Sequence, residues 1–294
     1  MKRFLVFIII VLIVISSRKL IGVQSTFNND NDNNYTYCTS TDQFINETKK
    51  QLLNRESNFI IEVPTSIYMV LKEQSKDTFH GILGLTYLSD DDSISTDSDY
   101  LERSIRSFKI STTTYSFRQK IKLNFDIKYL TTLSEETELN NHIEEALLSL
   151  KLSTSNDYKK TRKIHDYIVN KISFDESQTK YSAYNGMIEN SGVCEAYALL
   201  AYRMFTDSGL ETKIITGYAG GELHAWNIVK INDKWYNIDL TWDDPVTPDK
   251  QQYTRYDYFL KNENDFDDHT RDARYLTKDF LETYPISEKS YRLK

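Results

Sequence analysis

Apolar positions recur along the chain in several distinct rhythms, each predicting a different element. A continuous apolar run covers Phe4 to Ile15, and after it Phe44, Leu52 and Leu53 mark a helical stretch over 44–53. Short extended runs are expected at Phe59–Val63 and Ile67–Leu71. Ile121, Leu123, Phe125 and Ile127 alternate with polar residues, and with Ser107–Thr114 they read as half-buried strands. Helical spacing follows: Leu139, Ile143, Ala146, Leu147 and Leu150 after a Ser134 cap, then Ile164, Ile168 and Ile172 after Asp157. His165 lies in that second helix and is expected to be a packed or surface residue. From Ala196 to Phe205 the chain is almost wholly apolar, a strong helix that stops at Gly209. Beyond it Lys213–Thr216 is a short strand, Gly217–Gly221 a loop, and the runs His224–Ile231 and Lys234–Thr241 flank the turn Asn232-Asp233 as a β-hairpin.

Polar segments set the boundaries between these patterns. Residues 26–42 are rich in Asn, Asp, Ser and Thr and read as a disordered linker; Asn29–Asn33 lacks the Gly and the distant Glu of a calcium loop. Residues 43–130 form an accessory α+β region, with Ser89–Asp99 as a loop, and the patterned remainder spans 131–294. Lys2 and Arg3 ahead of the twelve-residue apolar run, with Ser17 and Ser25 as small residues suited to cleavage, make residues 1–25 a secretory signal peptide or an uncleaved anchor holding the membrane through residues 4–17. On either reading the rest of the chain is expected outside the cytoplasm, secreted or in the cell envelope.

Composition adds limits. With 39% hydrophobic and 27% charged residues, and only 9 Gly and 4 Pro, collagen-like and elastic repeats are excluded. Residues 1–25 hold four basic side chains (Lys2, Arg3, Arg18, Lys19) and no acidic one, so the remainder carries 32 basic and 43 acidic residues, a formal charge of −11. That surface repels phosphate backbones, which argues against nucleic acid and leaves basic or neutral proteins and peptides as partners. The two cysteines, Cys38 in the polar leader and Cys194 in the patterned segment, are expected to be unpaired.

The candidate chemistry centres on Cys194. Following Gly192-Val193, this cysteine opens the apolar helix, where unpaired N–H groups and the positive end of the helix dipole favour a thiolate and could stabilise an oxyanion. In a hairpin with a two-residue loop, Ile231 faces Lys234, so Trp226 faces Asp239 and His224 faces Thr241. His224, Trp226, Asp239 and Thr241 then share one face, with His224 and Asp239 as diagonal neighbours roughly 7 to 8 Å apart at the backbone. A thiol, a base within reach and an acid to orient the base make up a nucleophilic triad. Asp243 is the other diagonal neighbour of His224 and Asp244 precedes Pro245, so both remain alternatives to Asp239 as the orienting acid. Trp226 and Trp242 are core candidates that could also bind substrate. His80, His142, His165, His224 and His269 do not occur at metal-ligand spacings, and neither a metal nor another cofactor is expected.

Gly192-Val193-Cys194, His224-Ala225-Trp226-Asn227 and Trp235-Tyr236-Asn237-Ile238-Asp239-Leu240-Thr241-Trp242-Asp243-Asp244 resemble the transglutaminase-like domain, in particular its exported bacterial members. The similarity extends to Ile164–Ile168 and Tyr258–Leu260, about half of the chain, with Ala196 standing where many relatives have Gly. The resemblance implies an α+β, papain-like transglutaminase core over 131–294, in which a helix bearing the cysteine packs on an antiparallel sheet bearing His and Asp. It also implies Cys194, His224 and Asp239 as catalytic residues, and acyl transfer from protein or peptide amides through a thioester, ending in crosslinking, deamidation or hydrolysis. A non-catalytic envelope module retaining the fold is the rival reading; an intact triad argues against it, because a pure binder needs no thiol beside an imidazole and a carboxylate.

Overall fold

The computed structural model describes residues 35–76, 78–88, 93–115, 119–244 and 254–292. The expected signal or anchor segment 1–25, and the polar leader as far as residue 34, lie outside the described residues. The architecture is mixed α+β. Contacts divide it into two units, one of residues 35–88 and 101–130, the other of 93–100 and 131–292. Among the described residues no helix is long and apolar enough to cross a membrane.

The first unit contains β1 (Thr36–Tyr37), α1 (Thr41–Leu53), β2 (Asn58–Pro64), α2 (Thr65–Gln74), α3 (Phe79–Leu88), α4 (Ser98–Ser104, which runs in from the second unit), β3 (Ile105–Tyr115) and β4 (Lys120–Tyr129). The strands form one sheet in the order β1-β2-β4-β3. Alternation in β4 buries Ile121, Leu123, Phe125 and Ile127, which share a core with Phe44, Leu52, Leu71, Ile82 and Leu83. Each such side chain removed from water contributes about 1.5–3 kcal/mol. Two expectations are corrected here. Ile67–Leu71 is helical, inside α2, because its apolar residues bury one helical side rather than alternate faces. The linker expected over 26–42 is ordered from Tyr35 onward: β1 pairs with β2, and Cys38 is only 2% exposed, its N–H donating to the Glu62 carbonyl at 2.9 Å. Sheet pairing and a buried thiol outweigh the polar composition there.

In the second unit come α5 (Leu133–Ser149), α6 (Asp157–Lys171), β5 (Ser173–Phe174), α7 (Ala183–Ile188), β6 (Ser191–Gly192), α8 (Cys194–Asp207), β7 (Thr212–Ala219), β8 (Glu222–Ile231), β9 (Lys234–Ile238), β10 (His269–Arg271) and α9 (Lys278–Thr283). The cap of α5 is Thr132, in a reciprocal capping box with Glu135, rather than Ser134. Helix α8 is apolar all round because it is buried all round: every residue from Ala196 to Thr206 is inaccessible. Its one buried cation, Arg203, lies over the Tyr100 ring at 4.7 Å and donates to Ser95 Oγ at 3.0 Å. Tyr100 donates to the Glu136 carboxylate at 3.0 Å, and Asp99 accepts the Ile214 N–H at 2.8 Å. These bonds fasten residues 93–100, which include most of the expected Ser89–Asp99 loop, within the second unit.

Strands β10, β7, β8 and β9 of this unit form an antiparallel sheet in that order. Strand β7 runs through Gly217–Ala219, where a loop was expected, and only Gly220-Gly221 turns. Buried Asn227 of β8 ties helix to sheet by donating to the Ala198 carbonyl at 3.1 Å and the Lys213 carbonyl at 3.4 Å. The cysteine-bearing helix is therefore packed on an antiparallel sheet.

Candidate active site

Cys194 opens α8 because the chain before it is extended and anchored. Gly192 pairs with Phe174, and the Val193 N–H donates to the Lys180 carbonyl at 2.9 Å. A Cβ on Gly192 would lie 2.4 Å from the Cβ of Ala196, so this close approach of strand to first helical turn requires glycine. Lys180 closes a loop organised by Asp175, whose carboxylate accepts from Ser177, Thr179 and Lys180. Burial pushes the Asp175 carboxyl up, but these donors outweigh it and bring its pKa to about 2. No side chain caps α8 at Val193, which leaves the positive end of its dipole at the partly exposed thiol.

The hairpin has the expected register, with Ile231 opposite Lys234 and Asn227 opposite Ile238. Its ladder then stops, three residues earlier than the sequence pattern suggests, and Asp239 is the cause. Its Oδ1 accepts the N–H groups of Thr241 at 2.8 Å and Trp242 at 3.2 Å, an Asx-type turn that diverts the chain from the sheet. The other oxygen, Oδ2, lies 2.6 Å from Nε2 of His224. The Cys194 side chain lies close enough to the same imidazole to act on its charge, while Nε2 is committed to Asp239. Cys194, His224 and Asp239 are thus brought together as the sequence suggests.

The electrostatics follow from this geometry. Burial works against a charged His224, but Asp239 and then Cys194 outweigh it and raise its pKa well above 6.5. Burial likewise opposes ionisation of Asp239, yet the two histidines beside it, His224 foremost, hold its carboxyl far below the usual range. The charged imidazolium form of His224 is therefore favoured beside an ionised Asp239.

The alternative acids go elsewhere. Asp243 is not a neighbour of His224, because the chain has left the strand by then; its Oδ2 meets Nε2 of His165 at 3.1 Å, and its Oδ1 accepts the Tyr258 N–H at 2.9 Å. Asp244 accepts the Tyr197 hydroxyl at 2.6 Å. His165 is packed: its side chain is fully buried, with Nδ1 3.1 Å from Asp166 and Nε2 on Asp243. Trp226 departs from its expected part in substrate binding. At 1% exposure it has no face open to a ligand, and it packs beside His224 while its indole N–H reaches Asn237. Trp242 is partly exposed and lies 5.8 Å from the His224 ring.

One residue of the cluster has no counterpart in the sequence pattern. His269, on β10, places Nε2 3.0 Å from the same Oδ2 of Asp239. The ligand atoms of His224, Asp239 and His269 lie within 4.8 Å of one another, a spacing that could also suit a divalent cation. Sequence spacing argues against any such set, but folding brings together histidines 45 positions apart in the chain. Both Nε2 atoms lie at hydrogen-bonding distance from the carboxylate. The only local signal for His269 in sequence is its place at the end of the acidic run Asp265-Phe266-Asp267-Asp268.

Residues 148–240 match the family model of the transglutaminase-like superfamily, a range that includes Cys194, His224 and Asp239 and ends before His269. No curated protein is significantly similar in sequence. Among solved structures, the chain is similar to a transglutaminase at 13% identity, over 75% of this chain and 62% of that one, with a TM-score of 0.36. It is similar to a candidate cysteine protease from Cytophaga hutchinsonii at 16% identity, over 50% and 65%, TM-score 0.30. A candidate protease from Parabacteroides distasonis is similar at 8% identity, over 64% and 41%, TM-score 0.27. The chain spans less than two thirds of the length of each of these structures. By the family match, residues 148–240 form a transglutaminase-like domain.

Proposed function

We propose that this protein is a cysteine acyltransferase acting on protein or peptide amides, with Cys194 as nucleophile, His224 as base and Asp239 as the acid that orients it. The observation that carries the proposal is the shared imidazole: His224 meets Asp239 through Nε2 at 2.6 Å, and Cys194 lies near enough to act on the same ring. In the first half-reaction the Cys194 thiolate attacks the amide carbonyl. The developing oxyanion lies at the N-terminus of α8, where the backbone dipole is positive. The His224 imidazolium gives its Nδ1 proton to the leaving amine, the C–N bond breaks, and a thioester remains with neutral His224. A second nucleophile then loses a proton to His224 as it attacks, and the thiolate departs. Water yields the acid, so that a side-chain amide is deamidated or a peptide bond is cut; a lysine amine yields a crosslink. Asp239 stays ionised throughout, holding the tautomer that leaves Nδ1 free for the sulfur.

An acidic surface favours basic or neutral polypeptides as substrates, and the apolar segment at residues 4–15 behind Lys2 and Arg3 supports action outside the cytoplasm. The test is mass spectrometry of protein substrates incubated with an amine donor, alongside labelling by a thiol-reactive amide mimic. Cys194→Ala should abolish both. Full product formation by that variant would overturn the proposal and leave the fold as a binding module.

A further inference from the structure

Asp239 is gripped by side chains from two strands of the sheet. Strand β7 lies between β8 and β10, and in the two ladders His224 pairs with Gly217 and His269 with Ala219. Because side chains alternate, His224, Gly217, Ala219 and His269 share one face. The middle strand thus presents only a hydrogen and a methyl group between the two imidazoles, whose centroids are 5.5 Å apart, and both Nε2 atoms reach the same carboxylate oxygen, at 2.6 and 3.0 Å. Gly217 is required for this arrangement, since a Cβ there would lie 1.9 Å from the Thr270 carbonyl oxygen of β10.

His269 is itself firmly held. Its side chain is fully buried, and Nδ1 lies 2.7 Å from Oδ1 of Asp268, whose other oxygen accepts the Tyr258 hydroxyl at 2.6 Å. Phe266, Trp242 and Trp226 surround the ring at 3.8, 4.8 and 5.1 Å between centroids. An imidazole bonded at both nitrogens and enclosed by aromatic rings cannot swivel, so its Nε2 is a fixed point for the carboxylate it meets.

We propose that His269 is a positioning residue of the acyl-transfer site, the second imidazole that fixes Oδ2 of Asp239 at the distance and angle His224 needs. Oδ1 is already set by two backbone N–H groups, and His269 sets the other oxygen. During turnover the hold of His224 on Asp239 changes as His224 gains and loses charge. The bond from His269 is independent of that cycle and keeps the carboxylate in place while the bond from His224 is weak. The proposal rests on the assignment of Cys194, His224 and Asp239 above.

The test measures the rate of Cys194 alkylation by iodoacetamide, and acyl transfer to an amine donor, for His269→Phe and His269→Gln in both the native and the Asp239→Asn backgrounds, with melting temperatures recorded in parallel. His269→Phe should lower both rates about tenfold or more, and His269→Gln, which restores an N–H near the position of Nε2, should recover them to within about threefold of native. In the Asp239→Asn background His269→Phe should have less than about a twofold further effect, because it acts through a carboxylate that is already gone. Equal losses in the two backgrounds, or a glutamine no better than phenylalanine, would show that His269 only packs and would overturn the inference. Should His269→Phe fail to fold, Asp268→Asn serves instead, since it loosens the grip on Nδ1 from a side chain that is 39% exposed. It should slow the native background severalfold and leave the Asp239→Asn background unchanged, and an unchanged native rate would overturn the inference. If Asp239→Asn slows the enzyme while His269 variants do not, this inference alone falls; if Cys194→Ala retains acyl transfer, the underlying assignment falls with it.

Discussion

Nε2 of His224 lies 2.6 Å from Oδ2 of Asp239, with the two side chains only 8% and 1% exposed. In Asp239→Asn the amide oxygen must still accept the N–H groups of Thr241 and Trp242, so the NH2 group is forced toward His224. Nε2 then has to accept, the proton moves to Nδ1, and the imidazole can no longer take a proton from the thiol. Activity should fall by about a thousandfold or more, on the scale of the same change in serine triads. The pH dependence of iodoacetamide alkylation checks this, and a native profile in Asp239→Asn would refute the role given to the carboxylate.

The same pair has a stability signature. His224 has a folded pKa raised above 6.5, so its contribution is fully present below that value and is lost as pH rises through the raised one. Asp239 has a lowered pKa, so its contribution is present above 3.8 and is lost as pH falls through the lowered one. Urea unfolding of native protein and His224→Gln should differ most between 3.8 and 6.5 and converge on the alkaline side.

Asp244 behaves in the opposite way to Asp239. Burial raises its carboxyl to about 6 despite the hydrogen bond from Tyr197. A carboxyl raised in the fold contributes stability below 3.8 that is lost as pH rises through about 6. Asp244→Asn keeps an acceptor for the Tyr197 hydroxyl without the charge. It should be neutral in acid and stabilising by about 1 kcal/mol or more above pH 6, as read by urea titration at both pH values.

His165 and Asp243 form a second buried pair, both fully inaccessible. Asp243→Asn removes the charge opposite His165 and should cost about 2–4 kcal/mol. It should lower the melting temperature while leaving the pH profile of Cys194 alkylation in place, since Asp243 contacts His165 and not His224. A shifted profile with unchanged stability would reverse these assignments.

Cys38 belongs to the core of the first unit, only 2% exposed. Cys38→Ser should leave turnover unchanged and destabilise the protein by about 1–2 kcal/mol through burial of a hydroxyl. Thermal unfolding and steady-state assays on one preparation check both parts.

What was legible in the sequence is what depends on local order. Cys194 at a helix start follows from Gly192-Val193 and the apolar run behind it, and the hairpin register follows from the two-residue turn Asn232-Asp233. What was hidden depends on side chains that override the pattern or on distant strands. The apolar and polar alternation continues past Ile238, but the Asp239 carboxylate captures two N–H groups and ends the strand, which removes Asp243 from the face where simple extrapolation puts it. His269 sits on a three-residue strand, too short to show a period, and reaches Asp239 only because β10 docks beside β7. The strand at Thr36–Tyr37 is equally short and lies in a polar stretch, and its order comes from a partner more than twenty positions later.

On both flanks of the β7-β8-β9 sheet, later parts of the chain supply pairing partners. Strand β10 lies along β7, and residues Lys261 and Ile286 bridge to Asn237 and Trp235 on β9. An open margin presents unpaired N–H and carbonyl groups to any other chain, which is a route to aggregation. The strand that carries the second imidazole is also the one that closes the β7 margin. Lesions that pull β10 away should therefore produce self-association together with loss of catalysis, so that solubility during expression would report on the integrity of the site before any substrate is known.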